Sequence, residues 1–149
     1  MTIGTSSVYA AKSALYTALT TANTNTGLLI AYGQVGTYRP DDIILLGRVS
    51  RNVQVARMRG DGGYGWLNED YTIEVGISTF RGGDDGWAGE GYALSLIDFV
   101  EQTVRTDPSL GGTVSMANPA GSELTGTWED KHMGVLFEGH VLIHCNAVI

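Results

Sequence analysis

The last sixteen residues, Gly134–Ile149, read GVLFEGHVLIHCNAVI, and their alternation decides the fold class. From Val135 onwards every odd position carries an apolar residue or a glycine. The even positions include the polar residues Glu138, His140, His144 and Asn146. A period of two is typical of a strand with one buried face and one face that is wet or touches a partner. We therefore predict a long, one-sided strand here.

A second alternating run is YTIEVGISTF, from Tyr71 to Phe80. Its apolar positions are Tyr71, Ile73, Val75 and Ile77, and its polar positions include Thr72, Glu74 and Ser78. Three shorter strand patterns precede it, LLIAYGQV from Leu28, IILLGRVS from Ile43 and NVQVARMR from Asn52, divided by GTYRPDD and by a tight junction at Arg51 and Asn52. We predict that these strands pair in antiparallel fashion.

Two segments carry apolar residues at helical spacing. The first follows Ser6 and Ser7, either of which suits a helix N-cap, and the polar run NTNTG stops it at Gly27. The second follows Asp84 and Asp85, where carboxylates favour a helix start. Its apolar positions include Ala93, Leu96, Ile97, Val100 and Val104. It is expected to end at TDPSLGG, because proline cannot continue a helix and paired glycines supply a turn.

After this turn, TVSM starts another extended segment, a polar excursion runs from Ala117 to Lys131, and the terminal strand follows. The chain thus reads helix, four strands, helix, two strands. Runs of strands broken by isolated helices are typical of an α+β domain. We predict a single domain over residues 1–149, with a single mostly antiparallel β-sheet and two helices packed on one face.

Composition excludes several classes of protein. The 149 residues are 43% hydrophobic and 17% charged, which is a globular composition. The formal charge of −7 opposes general binding to nucleic acid phosphates or to an anionic membrane. The single Cys145 cannot form an internal disulfide, as expected in a reducing cytosol. No stretch approaches about 18 uninterrupted apolar residues, so we expect neither secretion nor a membrane span.

The stretch RGDGGYGW, residues 59–66, contains two short motifs, G-x-G-x-x-G and Arg-Gly-Asp. Dinucleotide binding needs a helix after the glycines, whereas here a strand pattern follows. Adhesion needs a secretory context, for which the sequence shows no signal. We interpret the stretch as a glycine-rich loop that presents Arg59, Tyr64 and Trp66, residue types enriched at protein interfaces. The alternative is that its aromatic rings fold back on the sheet.

His140, His144 and Cys145 suggest metal or thiol chemistry until strand geometry is considered. Neighbours at 144 and 145 point to opposite faces of a strand, so we predict that Cys145 is a buried, inert thiol. The two histidines share a face and could share a ligand, but a metal site needs more donors than two.

The acidic residues Asp84, Asp85 and Glu90 could hold a cation, yet they lack the calcium-loop pattern, and helix capping or a solvated loop is favoured. The sequence contains no nucleophile elbow, H-E-x-x-H, Walker loop or paired-cysteine motif. The absence of these motifs does not exclude an enzyme, but nothing in the sequence argues for one, for a cofactor or for a metal.

The turn TDPSLGGTV, the preceding GYALSLIDFVEQTVR and the terminal strand ending HCNAVI together resemble the tail terminator proteins of long-tailed bacteriophages. The amino-terminal helix, the LLIAYGQV strand, the TYRPDD turn and a central hairpin follow in that family's order, so the resemblance spans about residues 8–147. The glycine-dense loops GDGGYGW and RGGDDGWAGEG and the few basic residues depart from the family pattern.

The resemblance implies a structural virion protein, not an enzyme and without a cofactor, that joins other copies in a ring, generally a hexamer, at the head-proximal end of the tail. Such a ring caps the tube built from the major tail protein, ends its polymerisation and offers its other face to head-completion or neck proteins. DNA passes through the channel without sequence-specific binding, and no membrane is involved. The protein would occupy the host cytoplasm during assembly.

On this interpretation the loops 36–42, 59–68 and 81–91 become ordered on contact with a neighbour. The candidate interface residues are Arg39, Arg59, Tyr64, Trp66, Asp84, Asp85 and Trp87. Part of the acidic excess is expected to line the channel and to repel passing DNA. The alternatives are a head-completion or neck adaptor, which also forms rings, and a small ligand-binding or metal-dependent domain that uses the two histidines and acidic loop residues.

Overall fold

A computed structural model describes residues 4–36, 40–57, 63–83 and 86–149. Its elements are α1 Val8–Ala22, β1 Leu28–Tyr32, β2 Asp42–Val55, β3 Leu67–Gly82, α2 Gly86–Thr106, β4 Met116–Glu129 and β5 Gly134–Val148. The strands form one sheet in the order β1-β2-β3-β5-β4. Only the β1–β2 pairing among these is parallel. The predicted fold class, an α+β fold with a mostly antiparallel sheet, is confirmed.

One strand, β2, replaces two of the predicted strands. It runs from Asp42 to Val55 without a break, so the predicted junction at Arg51 and Asn52 is wrong. The irregularity lies earlier, between Leu46 and Val49, where β2 carries one extra residue relative to β3. A β-bulge absorbs such a residue without ending the strand.

The prediction that the early strands are all antiparallel is wrong for β1 and β2. Leu28 lies level with Asp42, and Tyr32 lies level with Leu46, so the chain travels back along the sheet before β2 begins. The predicted polar excursion over 117–131 is also mostly strand, because β4 extends to Glu129. Much of this edge strand is exposed, and alternation is visible in a sequence only where one face is buried.

One hydrophobic cluster joins both helices to one face of the sheet. The helices contribute Ala11, Leu15 and Leu19 from α1 and Leu96, Ile97, Val100 and Val104 from α2. The central strands contribute Tyr71, Ile73, Val75 and Ile77 from β3 and Val141, Ile143, Cys145 and Ala147 from β5. The predicted alternation of both strands is therefore confirmed. No described helix has the length and apolar character needed to cross a membrane.

The start of α1 is held against the sheet by Glu69, whose side chain is fully buried. Its carboxylate accepts hydrogen bonds from the N–H and Oγ of Ser7 at 2.6 Å each, from Ser6 Oγ at 2.9 Å and from Arg51 Nε at 2.6 Å. Burial alone raises the pKa of Glu69, but the hydrogen bonds from Ser7, Arg51 and Ser6 outweigh burial, and the net pKa is lowered. Ser7 occupies the N-cap position without a capping side-chain bond, while Ser6 Oγ accepts from the Val8 N–H at 3.2 Å.

Candidate assembly surfaces

Of the seven candidate interface residues, three are described. Arg39, Arg59, Asp84 and Asp85 lie outside the described residues. Tyr64 is 55% exposed and Trp87 is 93% exposed, whereas Trp66 is partly buried. Large apolar groups that remain in water are informative, because folding usually covers them.

Tyr64 and Trp66 lie where β2 and β3 meet at one end of the sheet. The Trp66 carbonyl accepts hydrogen bonds from the backbone N–H groups of Ala56 at 2.7 Å and Arg57 at 3.2 Å. The Gly65 N–H donates to the Ile149 carbonyl at 3.0 Å. The element after Gly65 is the strand β3, so the helix that a dinucleotide fingerprint requires does not follow these glycines.

Trp87 lies at the opposite end of the sheet, in the first turn of α2. It forms an apolar ridge with Gly91 and Leu94, which are four and seven residues further along the helix. Trp66 immediately precedes β3 and Trp87 follows it, and a strand of 16 residues spans roughly 50 Å. The structure therefore separates the described candidates into two surfaces.

The predicted loops are shorter than the sequence suggested. Asp42 belongs to β2, residues 67–68 and 81–82 belong to β3, and residues 86–91 belong to α2. Arg81 is held within the fold, because its Nη1 donates to Asp42 Oδ1 at 2.8 Å and its guanidinium lies 4.7 Å from the centre of the Tyr92 ring. Residues 37–39, 59–62 and 84–85 of these loops lie outside the described ranges, and the ordering of the loops on contact with a neighbour stays a prediction.

The sheet face opposite the helices is acidic. It carries five carboxylates, on Asp70, Glu74, Glu123, Glu129 and Glu138. His140 lies between two of them, with Nδ1 3.9 Å from Glu74 and Nε2 3.9 Å from Glu123. The Nε2 atom of His144 lies 3.5 Å from Asp70. Both histidines are partly exposed, as predicted for the wet face of β5.

The positions of His140, His144 and Cys145 test the alternative that these side chains form a metal or thiol site. His140 and His144 share a face, but four residues of strand separate them by about 13 Å, and each lies beside a different carboxylate. Within the described ranges no three His, Cys, Asp or Glu side chains come together as a metal-binding group. Cys145 is buried, and burial raises the pKa of its thiol to about 12. The prediction that this cysteine is buried is confirmed.

Two stretches of sheet edge have no described strand beside them. Because β1 pairs only with Asp42–Leu46, residues Val49–Val55 of β2 form an open edge. On the far side, the start of β4 is covered where the Ala117 N–H donates to the Pro108 carbonyl at 2.7 Å, and residues 121–129 form the second open edge. Sequence reasoning missed both edges, because it placed a junction in β2 and an excursion over β4.

Comparison with known proteins gives little. No protein-family model and no curated protein matches the chain. Among solved structures, it is similar to a chain of a structure described as "Virion of native gene transfer agent (GTA) particle", with a TM-score of 0.49 and 11% identity over 93% of this chain and 94% of the other. A TM-score at this level supports no statement about function.

Proposed function

We propose that this protein is a structural component of a phage-like virion, and specifically a tail terminator whose copies form a ring on the end of the tail tube. One observation carries the proposal: a single subunit presents open sheet edges on both sides. A ring needs two different surfaces that fit each other, so that each copy binds the next until the circle closes. The resemblance of the sequence to tail terminators supports the same role.

The two aromatic surfaces supply the contacts that such a ring needs above and below it. A terminator binds the tube on one side and the head-completion or neck protein on the other. Tyr64 with Trp66 and the exposed Trp87 lie at opposite ends of β3. Tryptophan and tyrosine are typical anchor residues of protein interfaces. We propose that one end binds the tube built from the major tail protein and that the other faces the head.

The role needs no chemistry, and we propose a protein that is not an enzyme. With the helices on the outside of the ring, the acidic sheet face lines the channel. Five carboxylates per copy then face the DNA, and like charges keep the phosphates from binding to the wall.

The test is to measure the mass of the purified protein alone and after addition of tubes polymerised from the matching major tail protein. We expect binding at tube ends and an end to elongation, whether the free protein is a monomer or a hexameric ring. A Trp87→Ala or Tyr64→Ala substitution should weaken one of the two contacts, to tubes or to heads, and leave the other unchanged. Protein that ignores tubes but joins isolated heads is a neck adaptor, and protein that ignores both contradicts the proposal.

A further inference from the structure

We propose that neighbouring copies pair edge to edge, with residues 49–55 of β2 in one copy beside residues 121–129 of β4 in the next. The sheet then continues from copy to copy around the ring. This inference rests on the proposed ring assembly and names the contact that builds it. Five features support it: edges without lysine or proline, strand direction, the stagger along the sheet, matching apolar side chains, and charge.

Neither edge carries a lysine or a proline, two of the devices with which natural monomers protect exposed strands. Such proteins place lysine or proline on an edge, bend it with a bulge or cover it, because open N–H and C=O groups recruit other strands. The two stretches read VSRNVQV and GSELTGTWE, with no lysine and no proline. The two bulges, at 46/49 and 119/121, lie just before the open stretches. Each edge can therefore accept a strand over its full length.

Strand direction fits a ring. Three antiparallel pairings separate β2 from β4, so these two strands run in opposite directions. Copies related by rotation about a ring axis keep the same orientation, and β4 of one copy then meets β2 of the next in antiparallel fashion. Antiparallel pairing is the slightly more stable arrangement per residue.

The two edges are offset along the strands. Asn52, the middle residue of the β2 edge, lies level with Asp70 of β3. Thr125, the middle residue of the β4 edge, lies level with Glu138 of β5 and hence with Ser78 of β3. The middles of the two edges are therefore eight strand residues apart along the sheet, or about 26 Å at roughly 3.3 Å per residue. Bringing the edges together therefore staggers each copy relative to the last, and a sheet can close on itself only with such a stagger.

This stagger also places matching side chains opposite each other. With Asn52 beside Thr125, Val53 meets Leu124 and Val49 meets Trp128, all on the helix side of the sheet. In the isolated chain Val53 is 41% exposed and Trp128 is 43% exposed. Pairs of aromatic and β-branched residues across neighbouring strands stabilise a sheet, so the contact covers apolar surface that the monomer leaves in water.

Charge is complementary in the same alignment. Arg48 is exposed at the β2 edge, and within the described part of the chain it has no ion-pair partner. Beside it, Lys12 donates to the Gly47 carbonyl at 2.7 Å. In the neighbouring copy, Glu129 comes level with Arg48, and Asp130 follows it at the end of β4. Opposite charges at an interface steer association and fix its register.

A cysteine pair tests the contact directly. Ser50 and Thr127 face each other in this alignment, on the outer face and at exposed positions. Within one copy they lie about 14 Å apart across the sheet and about 26 Å apart along it, which is too far for a disulfide. We expect the Ser50→Cys, Thr127→Cys protein to form a ladder of covalent multimers on oxidation that reductant reverses. The control, Ser50→Cys with Gln102→Cys, moves one exposed cysteine to α2 and should form no ladder.

A charge exchange gives a second readout that needs no oxidation. Asn52→Lys with Thr125→Lys sets like charges opposite each other and should prevent ring formation, measured as mass in solution. Asn52→Glu with Thr125→Lys sets opposite charges there and should restore the ring. Both positions are exposed, so unfolding midpoints near the wild-type value are expected.

The outcomes separate this inference from the proposed function. A ladder in the test protein alone, together with the charge-dependent ring, supports edge pairing. Rings that cap tubes without a ladder above the control overturn edge pairing and leave the terminator role standing. A ladder from protein that ignores tubes and heads supports edge pairing and overturns the terminator role. Protein that stays monomeric with and without tubes, and forms no ladder, overturns both.

Discussion

At the scale of single residues, Glu69 is the most consequential side chain in the fold. A buried carboxylate stays charged only when hydrogen bonds and an opposite charge compensate for the loss of water. Ser7 supplies two of the bonds from the start of α1, and Arg51 supplies another from β2. One side chain on β3 therefore ties a helix and a neighbouring strand to the centre of the sheet.

We expect Glu69→Gln to lower the free energy of unfolding at pH 7 by roughly 2–3 kcal/mol, because a neutral amide accepts these bonds more weakly and leaves Arg51 without its counter-charge. Urea denaturation measures the loss. Glu74→Gln, on the outer face of the same strand, is the matched control and should change stability little.

The same carboxylate predicts a pH dependence. Its pKa in the folded protein lies below the ordinary value of 4.5, so its contribution is complete above that value and is lost as the pH falls through the folded pKa. Wild-type stability should therefore fall on acidification below about pH 4.5 more steeply than that of Glu69→Gln. Parallel curves for the two proteins would contradict this role.

Sequence could predict some of these residues and not others. Cys145 was placed in the core correctly, because the alternation around it fixes its face. The burial of Glu69 was not foreseen, because its main partner, Ser7, is 62 residues away in the chain. Local patterns do not contain contacts of that separation. Four of the candidate interface residues lie outside the described ranges and stay predictions.

At the scale of elements, glycines set how closely helix α2 and the edge strand β4 approach Phe137 of β5. The Phe137 ring lies between Gly89 of α2 and Gly126 of β4. A Cβ atom would lie 2.7 Å from the ring at either position. The ring cannot move away from one glycine without approaching the other. The glycine-rich stretch at the start of α2, which the sequence suggested was a loop, therefore also serves close packing.

We expect Gly89→Ala to lower the free energy of unfolding by about 1–3 kcal/mol, because the added methyl group overpacks a buried aromatic ring. Gly91→Ala, two residues along the same helix, meets no atom within 4 Å and should stabilise the protein by about 0.5–1 kcal/mol. Thermal unfolding of the two variants measures both effects. Equal shifts of the same sign in the unfolding temperatures of the two variants would show that helix propensity, and not the contact with Phe137, determines the effect of Gly89→Ala.

Elements with a buried face were readable from the sequence, and elements at the edge were not. The alternation of β3 and β5 and the periodicity of α2 predicted their positions, because each buries one side. The open half of β2 and most of β4 are exposed on both sides, so polar residues there suggested a junction and a loop. The direction of β1 was missed because antiparallel and parallel strands share the same local pattern.

At the scale of the whole molecule, the charge is unevenly placed. The chain carries a formal charge of −7, and the sheet face opposite the helices holds five carboxylates with two histidines. The fold class followed from element order alone, whereas this distribution required the register of β3, β4 and β5. The proposed role rests on the open sheet edges together with the family resemblance of the sequence.

If this face lines the channel, the combined substitution Glu74→Gln, Glu123→Gln and Glu138→Gln should increase the retention of DNA by assembled rings, most clearly at low salt. A filter-binding assay at several salt concentrations measures it. The matched control changes three acidic residues of α2, as Glu90→Gln, Asp98→Asn and Glu101→Gln, and lowers the charge equally on the other face. Equal retention by both proteins would remove the channel assignment.

The short strand β1 has a further consequence. It covers β2 only as far as Leu46, and in the proposed contact the end of the neighbour's β4 comes to rest against it. In that contact it blocks the incoming strand from sliding by two residues toward Leu46, to the next register with matching faces. If the stagger per copy decides how many copies complete the proposed ring, these five residues at one corner of the sheet help to keep that number constant, because a register slipped toward Leu46 would climb into an open helix instead.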